Sequence, residues 1–347
     1  MKPAALALLL VACAQPAPTR LPAPLTATPT ALGARAPEPV PLDADEAGVD
    51  PAKLAALDAD AARTHSDALV LWKDGRVLLH RRYTPEADGL IETMSITKSI
   101  TALAVALLAE DGTLSVEEPL TRYFPEWKQG QKQRITLLHL LGHTSGLEDT
   151  DDTSEIWPSP DFVQLALTAE LTTAPGTAFR YNNKAANLVP EVVRRASGEP
   201  IDRLLARRLF APLGIERYEW LRDPQGHALG QSGLKLGAFD LARIGELLRR
   251  GGVWRGAGGD TRILAEATIE RLTRRSSPLA PHHGLFFWIP ESGHGFVARG
   301  YLGQRMLVLP ARGVVAVRLR HWSPTAKPGV DDFDDFERRV HDLFERP

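Results

Sequence analysis

The strand-forming segments of this chain sit at its two ends, and that separation restricts the available folds more than any other feature. Towards the N-terminus, "DALVLWKDGRVLLHRRY" places apolar runs on both sides of Lys73-Asp74-Gly75, which is the turn chemistry of a β-hairpin. Towards the C-terminus, "GLFFWIP", "GFVARGYLG", "RMLVLP" and "GVVAVRLR" read as further strands. Short apolar runs rich in β-branched and aromatic residues, bounded by Gly or Pro, suit a buried pleated surface. Between the two ends the pattern is helical. Helices are expected around Pro51 to Thr64, from Ser95 to Glu110 with a stop at Asp111-Gly112, from Asp240 to Arg250, and in the closing "DDFDDFERRVHDLFER". Residues 113–225 read as mainly helical with long loops. Strands so far apart in sequence share a core most economically by joining one sheet. The expected class is α/β of the α+β type, an antiparallel sheet from both chain ends flanked by helices, plus a helical insertion domain over 113–225.

Bulk properties exclude several functions. Lys and Arg number 41 against 43 Asp and Glu, a net charge of −2, and no basic tail is present, so nucleic acid is not an expected partner. Cys13 is the only cysteine, which rules out an intrachain disulfide framework or a cysteine metal site. Its place is informative. Lys2, the apolar "AALALLLVA" and then Cys13 follow the order of an export signal, and "LVAC" resembles a bacterial lipobox. Residues 1–13 are therefore expected to be a lipoprotein signal ending at the lipidated Cys13. Residues 14–45, rich in Pro, Ala and Thr, are expected to be an extended tether, and 46–347 the folded domain. The implied location is the periplasm-facing cell envelope, with the membrane as partner through the lipid anchor.

The segment most suggestive of chemistry is "MSITKSI", followed at once by "TALAVALLAE". Lys98 stands at the mouth of a helix built for burial, where a charge is costly unless paired or neutralised. On a helix, positions i and i+3 share a face, so Lys98 would neighbour Ser95. A serine hydroxyl needs a base to become a nucleophile. Lysine's reference pKa of about 10.4 falls on burial, which makes it a candidate base. Unpaired amides in the first helical turn also suit a developing oxyanion. The pattern alone is weak, for Ser232-Gly233-Leu234-Lys235 repeats it. With Gly233 inside and Gly237 after it, that copy reads as a loop whose side chains do not share a face.

Downstream, "PGTAFRYNN" contains the Y-x-N triplet Tyr181-Asn182-Asn183. Together with "MSITKSITAL", "LLHLLGHTSGL", "FAPLGI", "GLKLGAFDLARIGELLRRGG" and "GYLGQRMLVLP", it resembles the serine β-lactamase and penicillin-recognising family. The likeness is greatest to its class C-like branch of β-lactamases, esterases, D-amino-acid peptidases and linear-amide hydrolases. The resemblance implies a β-lactamase/transpeptidase-like fold. It implies Ser95 as the acylated nucleophile, Lys98 as its base or proton relay, and Tyr181 as general base or proton donor. Asn183 would hydrogen-bond Lys98 and the substrate. The third family element, usually Lys-Thr-Gly or His-x-Gly, corresponds to Ala298-Arg299-Gly300. Gly300 would let backbone approach the ligand, and the amide of Tyr301 would complete an oxyanion hole with that of Ser95. Ala298 and Arg299 replace the groups that help hold a β-lactam carboxylate, which argues against an efficient β-lactamase.

Other patterns are bland. His143 in "LGHTSGL" reads as a structural turn residue, "FFWI" as sheet core, and Trp157 as a candidate for the cleft rim. His282, His283 and His294 lack metal-ligand spacing, so neither metal nor cofactor is expected. No G-x-S-x-G elbow or phosphate-binding glycine loop occurs. The expected function is a serine hydrolase acting through an acyl-enzyme on a small ester or amide. The alternatives are β-lactamase or D,D-peptidase activity on cell-wall-like substrates, and a catalytically silent binding lipoprotein of the same fold.

Overall fold

The computed structural model describes residues 39–345 apart from 151, 152 and 257. Cys13, the signal segment and most of the tether thus lie outside the described residues. Residues 40–42 pair with the first hairpin, Val77 N donating to Val40 O and Leu42 N to Val77 O.

Helix α1 (Pro51–Arg63) starts at the Asp50 cap, whose carboxylate accepts from Ala52 N at 2.8 Å, with Pro51 in the first turn where no amide is needed. Strands β1 (Ala68–Lys73) and β2 (Arg76–Arg82) form the expected hairpin. Both Asp74 and Gly75 have positive φ at its turn, as a two-residue connection matched to strand twist requires. A short β3 (Ile91–Glu92) leads into α2 (Ile96–Glu110). The middle of the chain holds α3 (Leu137–Leu141), α4 (Phe162–Thr168), α5 (Asn183–Ala186), α6 (Val189–Ser197), α7 (Ile201–Leu205) and α8 (Ala211–Leu213). After them come β4 (Glu219–Trp220), β5 (Leu234–Leu236), α9 (Ala238–Arg249), a hairpin of β6 (Val253–Gly256) and β7 (Gly259–Arg262), and α10 (Glu266–Thr273). The chain closes with β8 (Phe296–Gly300), β9 (Gln304–Leu309), β10 (Val314–Leu319) and α11 (Phe336–Leu343).

The main sheet has the order β2-β1-β10-β9-β8 and is antiparallel throughout, so both chain ends do build it. Both of its faces are covered. Leu69, Leu71, Val297, Leu307 and Ala316 point to one side, against Leu57 of α1 and Phe336, Val340 and Leu343 of α11. Their alternates Val70, Trp72, Ala298, Met306, Val315 and Val317 point to the other, against α2 and α9. Burial on both faces explains why these strands read as continuous apolar runs rather than alternating ones. Helix α9 comes so close that a Cβ on Gly245 would meet Val315 Cγ1 at 2.6 Å.

Helix α2 is buried from Ile96 to Leu108. It lies between the sheet and the helical layer, touching β8 and β9 on one side and α6 and α7 on the other. An apolar helix of this kind has no solvent face to present, so anything polar in its first turn must find partners inside the protein. Among the described residues no helix is long and apolar enough to cross a membrane.

Two expectations about strands fail. "GLFFWIP" is not a strand. Phe286 has φ 61° and the segment folds on itself, Gly284 N donating to Phe287 O and Phe286 N to Leu141 O. Only isolated bridges link Trp288 to His283 and Val297. "GFVARGYLG" stops pairing at Gly300, after which Tyr301–Gly303 makes a tight turn with Leu302 at φ 61°. The C-terminal helix is also shorter than expected, beginning at Phe336.

Candidate active site

Ser95 caps α2 with helical dihedrals, φ −69° and ψ −5°, so it and Lys98 occupy one turn. Lys98 is 2% exposed. Its Nζ donates to Ser95 Oγ at 3.1 Å, to Asn183 Oδ1 at 2.9 Å and to the carbonyl of Gln231 at 2.8 Å. Two of those partners, the amide oxygen and the backbone carbonyl, can only accept. Ser95 Oγ can give or take a proton. Of these three contacts, the one between Ser95 and Lys98 is the one across which a proton can move. Lys98 Nζ also stands 4.7 Å from the centre of the Tyr181 ring.

The residue before the nucleophile candidate is strained. Met94 has φ 51°, a left-handed conformation that costs a non-glycine residue on the order of 1–3 kcal/mol and tends to mark functional turns. The edge strand β8 presses on this turn. A Cβ on Gly300 would lie 2.6 Å from Thr93 O and 3.0 Å from Met94 Cβ, so only glycine lets the strand pass. Gly300 and Tyr301 thus stand beside the Ser95 turn. The Ser95 amide has no backbone acceptor among the described residues, which leaves it available to a ligand oxygen. Tyr301 carries a phenol pushed up by burial, with Asp332 adding to the rise.

Asn183 is held from below. Its amide and that of Lys184 donate to the Asp149 carboxylate. Asn182 caps the short α5 by accepting from Ala185 N at 2.6 Å, and its own amide group donates to Leu147 O at 2.7 Å. Burial raises the Asp149 carboxyl to about 6, partly offset by those two amides and by Lys184 and Lys98. The Gln231 carbonyl is fixed because the amides of Gly230 and Gln231 both donate to Asn187 Oδ1 at 2.9 Å.

Tyr181 lies in an aromatic wall. Its ring is 4.4 Å from that of His143 and 6.0 Å from Trp288. His283 packs against both His143 and Trp288. Burial drives both histidines towards the neutral form, His283 to about 4 and His143 well below its ordinary value, with nearby Lys98 acting in the same direction. His143 is thus more than a turn residue, and Trp288 is more than sheet core. Asp149 and the Gln231 carbonyl had no sequence signal, since one acts through backbone amides and the other is itself backbone. Trp157 donates to Thr153 Oγ1 and packs on the Ile156, Phe162 and Leu229 cluster, a loop-packing role.

Ala298 points towards α2, on the same sheet face as Gly300. Arg299 points the other way, in a two-pronged ion pair with Glu337 of α11 at 2.7 Å on each arm, its guanidinium over Trp288. Burial opposes ionisation of Glu337, but Arg299 and Arg305 outweigh it and hold the carboxyl below its usual range. The strand alternation that buries Ala298 therefore removes Arg299 from the Ser95 side.

Among the described residues, two carboxylate–imidazole groups converge away from the sequence-derived site residues, Asp67–Glu86–His321 and Asp161–Asp223–His227. Their central acids are already engaged. Asp67 takes the ring and amide of His321 and the hydroxyl of Thr84. Asp223 takes the amides of Phe162, Gln225 and His227. Both read as structural hydrogen-bonded clusters.

This arrangement can be set beside known proteins. The sequence model of the beta-lactamase family matches residues 52–336. The chain belongs to the beta-lactamase family. Among curated members, esterase EstB of Burkholderia gladioli is 32% identical over 149 residues, covering 37% of this chain and 38% of that protein. The 6-aminohexanoate-dimer hydrolase of Paenarthrobacter ureafaciens is 25% identical over 300 residues, covering 78% and 76%. The chain spans about two fifths of the length of the first curated relatives it matches. Among solved structures, a Bacillus anthracis protein assigned as a 6-aminohexanoate-dimer hydrolase superposes with a TM-score of 0.77 at 19% identity, covering 92% of this chain and 90% of that one. That likeness establishes the fold of this beta-lactamase family member, an antiparallel sheet flanked by helices.

Proposed function

We propose that this family member is a serine hydrolase that cleaves a small ester or amide through an acyl-enzyme on Ser95. The observation that carries the reading is the Lys98 amino group, buried and held between Asn183 Oδ1, Gln231 O and Ser95 Oγ. In the reaction Ser95 Oγ adds to the substrate carbonyl carbon, and its proton passes to Lys98 as the neutral amine or to Tyr181 as the phenolate. The oxyanion is met by the amides of Ser95 and Tyr301. The carbon–leaving-group bond then breaks, with the proton returned to the leaving group through Tyr181 or Lys98. Water adds to the acyl-enzyme by the reverse sequence, releasing the acid and restoring Ser95.

The third motif favours esters and linear amides over β-lactams or D,D-peptides. Ala298 offers no charge on the Ser95 side, and Arg299 is committed to Glu337, so this strand offers no cation for a carboxylate. An esterase and a 6-aminohexanoate-dimer hydrolase are among the relatives that fit this preference, whereas the D-alanyl-D-alanine carboxypeptidase/endopeptidase of Escherichia coli, 29% identical over 150 residues, fits the peptidase alternative. The test is fluorophosphonate labelling together with a panel of p-nitrophenyl esters, short linear amides and nitrocefin. Ester or amide turnover and labelling, both abolished in Ser95→Ala, are expected. Labelling that survives Ser95→Ala rejects the assignment, and preferred turnover of nitrocefin favours the β-lactamase alternative. Ligand binding without turnover of any substrate would favour a silent binding protein. Export and lipidation at Cys13 form part of this proposal on sequence grounds. Palmitate incorporation that persists in Cys13→Ser would reject them.

A further inference from the structure

His143 makes three contacts that converge on one tripeptide. It stands just after α3, buried, with φ 53°. Its carbonyl accepts from Arg180 N at 2.8 Å, and its Nδ1 accepts from Asn182 N at 3.1 Å. Its ring lies on the intervening residue, 4.4 Å from the Tyr181 ring centre at an interplanar angle of 36°. The amides before and after Tyr181 and the phenol ring itself are therefore all referred to one side chain and its backbone.

The hydrogen bond also sets the state of the imidazole. A backbone amide can only donate, so Nδ1 is the unprotonated nitrogen and the remaining proton sits on Nε2. The groups around the ring agree with a neutral form. Burial above all, then His283 from the 282–289 loop and Lys98 from α2, oppose a second proton. Phe286 and Phe179 close the rest of the pocket, at 5.0 and 6.1 Å between ring centres. A filler of the same volume, such as Phe or Leu, would pack here but leave the Asn182 amide unpaired. A left-handed backbone at a residue other than glycine adds a cost that only a specific requirement offsets.

We infer that His143 is the positioning residue for Tyr181, its neutral ring and carbonyl fixing where the phenol stands relative to Lys98 and Ser95. The inference rests on the reading of Tyr181 as the proton-transfer group of the proposed hydrolase. His143 acts through Tyr181 and is not itself catalytic.

A double-mutant cycle separates this from a merely structural role. His143→Ala is expected to lower kcat on an alkyl ester about 100-fold, the scale of loss that a small misplacement of a catalytic group produces, with KM changed less than about threefold. In the Tyr181→Phe background the same substitution is expected to cost about twofold or less, since the group being positioned is gone. His143→Asn keeps an acceptor near the place of Nδ1 and tolerates the left-handed backbone. It is expected to recover at least about tenfold over His143→Ala. The loss should also be smaller on p-nitrophenyl esters, whose leaving group departs with little help from a proton donor. Thermal melts and circular dichroism identify variants that fail to fold. If His143→Ala is one, His143→Asn and His143→Phe carry the cycle, the latter keeping the stacking face without the acceptor. Equal losses in both Tyr181 backgrounds, an unchanged kcat in His143→Ala, or an unaffected Tyr181→Phe would each overturn the inference. Ser95→Ala measured in the same assays keeps the two questions apart. Turnover that survives it rejects the hydrolase reading itself, whereas its loss alongside additive His143 effects rejects only the positioning role.

Discussion

The chain contains the same four-residue pattern twice, and the two copies differ in what they become. Ser95-x-x-Lys98 opens α2, and its side chains meet at 3.1 Å. Ser232-x-x-Lys235 runs through a bend at Gly233, φ 89°, into β5, where Lys235 pairs with Glu219 at 2.8 Å instead. Spacing brings two side chains together only where the backbone supplies the matching period. The second copy nevertheless serves the first. Gly233 N donates to Glu92 Oε1, Leu234 N to Thr97 Oγ1 and Thr93 N to Leu234 O. This strap carries the Gln231 carbonyl to Lys98.

The sharpest way to break this comparison is to truncate both serines. Ser95→Ala is expected to lower kcat by a factor of about 1,000 or more, as removal of a nucleophile does. Ser232→Ala is expected to change it less than about threefold. Steady-state kinetics on one ester decides it, and comparable losses would mean that the second copy has a direct chemical part. Next in size, Asn183→Ala removes one of the fixed acceptors of the buried Lys98 amino group. It should lower kcat about 10- to 100-fold with intact folding by circular dichroism, since buried polar groups depend strongly on their partners.

The third expectation concerns acid. The wall behind the first copy contains His283, whose folded-state pKa of about 4 lies below the ordinary 6.5 because burial disfavours its charged form. A depressed pKa contributes stability that is present above pH 6.5 and lost as pH falls towards 4, on the order of 3 kcal/mol across that window. Urea melts at pH 7 and pH 4.5 measure the loss, and His283→Phe should flatten the dependence. An unchanged slope in that variant would place the acid sensitivity elsewhere. Smallest of all is Lys235→Ala. Its ion pair with Glu219 is about a third exposed on the lysine side, so the loss should stay below about 1 kcal/mol. A larger drop in Tm would show that the strap depends on that pair.

How far each feature could be read from the residues follows from the range of the forces behind it. The hairpin at Asp74-Gly75, the start of α2 at Ser95 and its stop at Asp111-Gly112 are local matters of dihedral preference and periodicity, and they stand where expected. The five strands also assemble from both ends, because two-sided burial leaves so plain an apolar signature. "GLFFWIP" carries the same signature without the strand. Hydrophobicity reports burial, and Phe286 and Phe287 are buried, but in a fold held by irregular hydrogen bonds to Leu141 and within the loop. Composition cannot tell these apart. The supports of the site were the least legible. Asp149 belongs to an acidic run that looks solvated, the Gln231 contribution is a carbonyl, and the place of His143 under Tyr181 depends on contacts almost forty positions apart.

The left-handed turn at Met94 has a consequence for how this protein would drift under selection. A glycine there would relieve the conformational penalty, but it would also delete a buried side chain, a loss of about 2–5 kcal/mol for a core methionine. A mutant library sorted for heat resistance alone should therefore keep a large apolar residue at position 94 in spite of its backbone angle. Packing, rather than dihedral preference, holds the bend that aims the neighbouring hydroxyl.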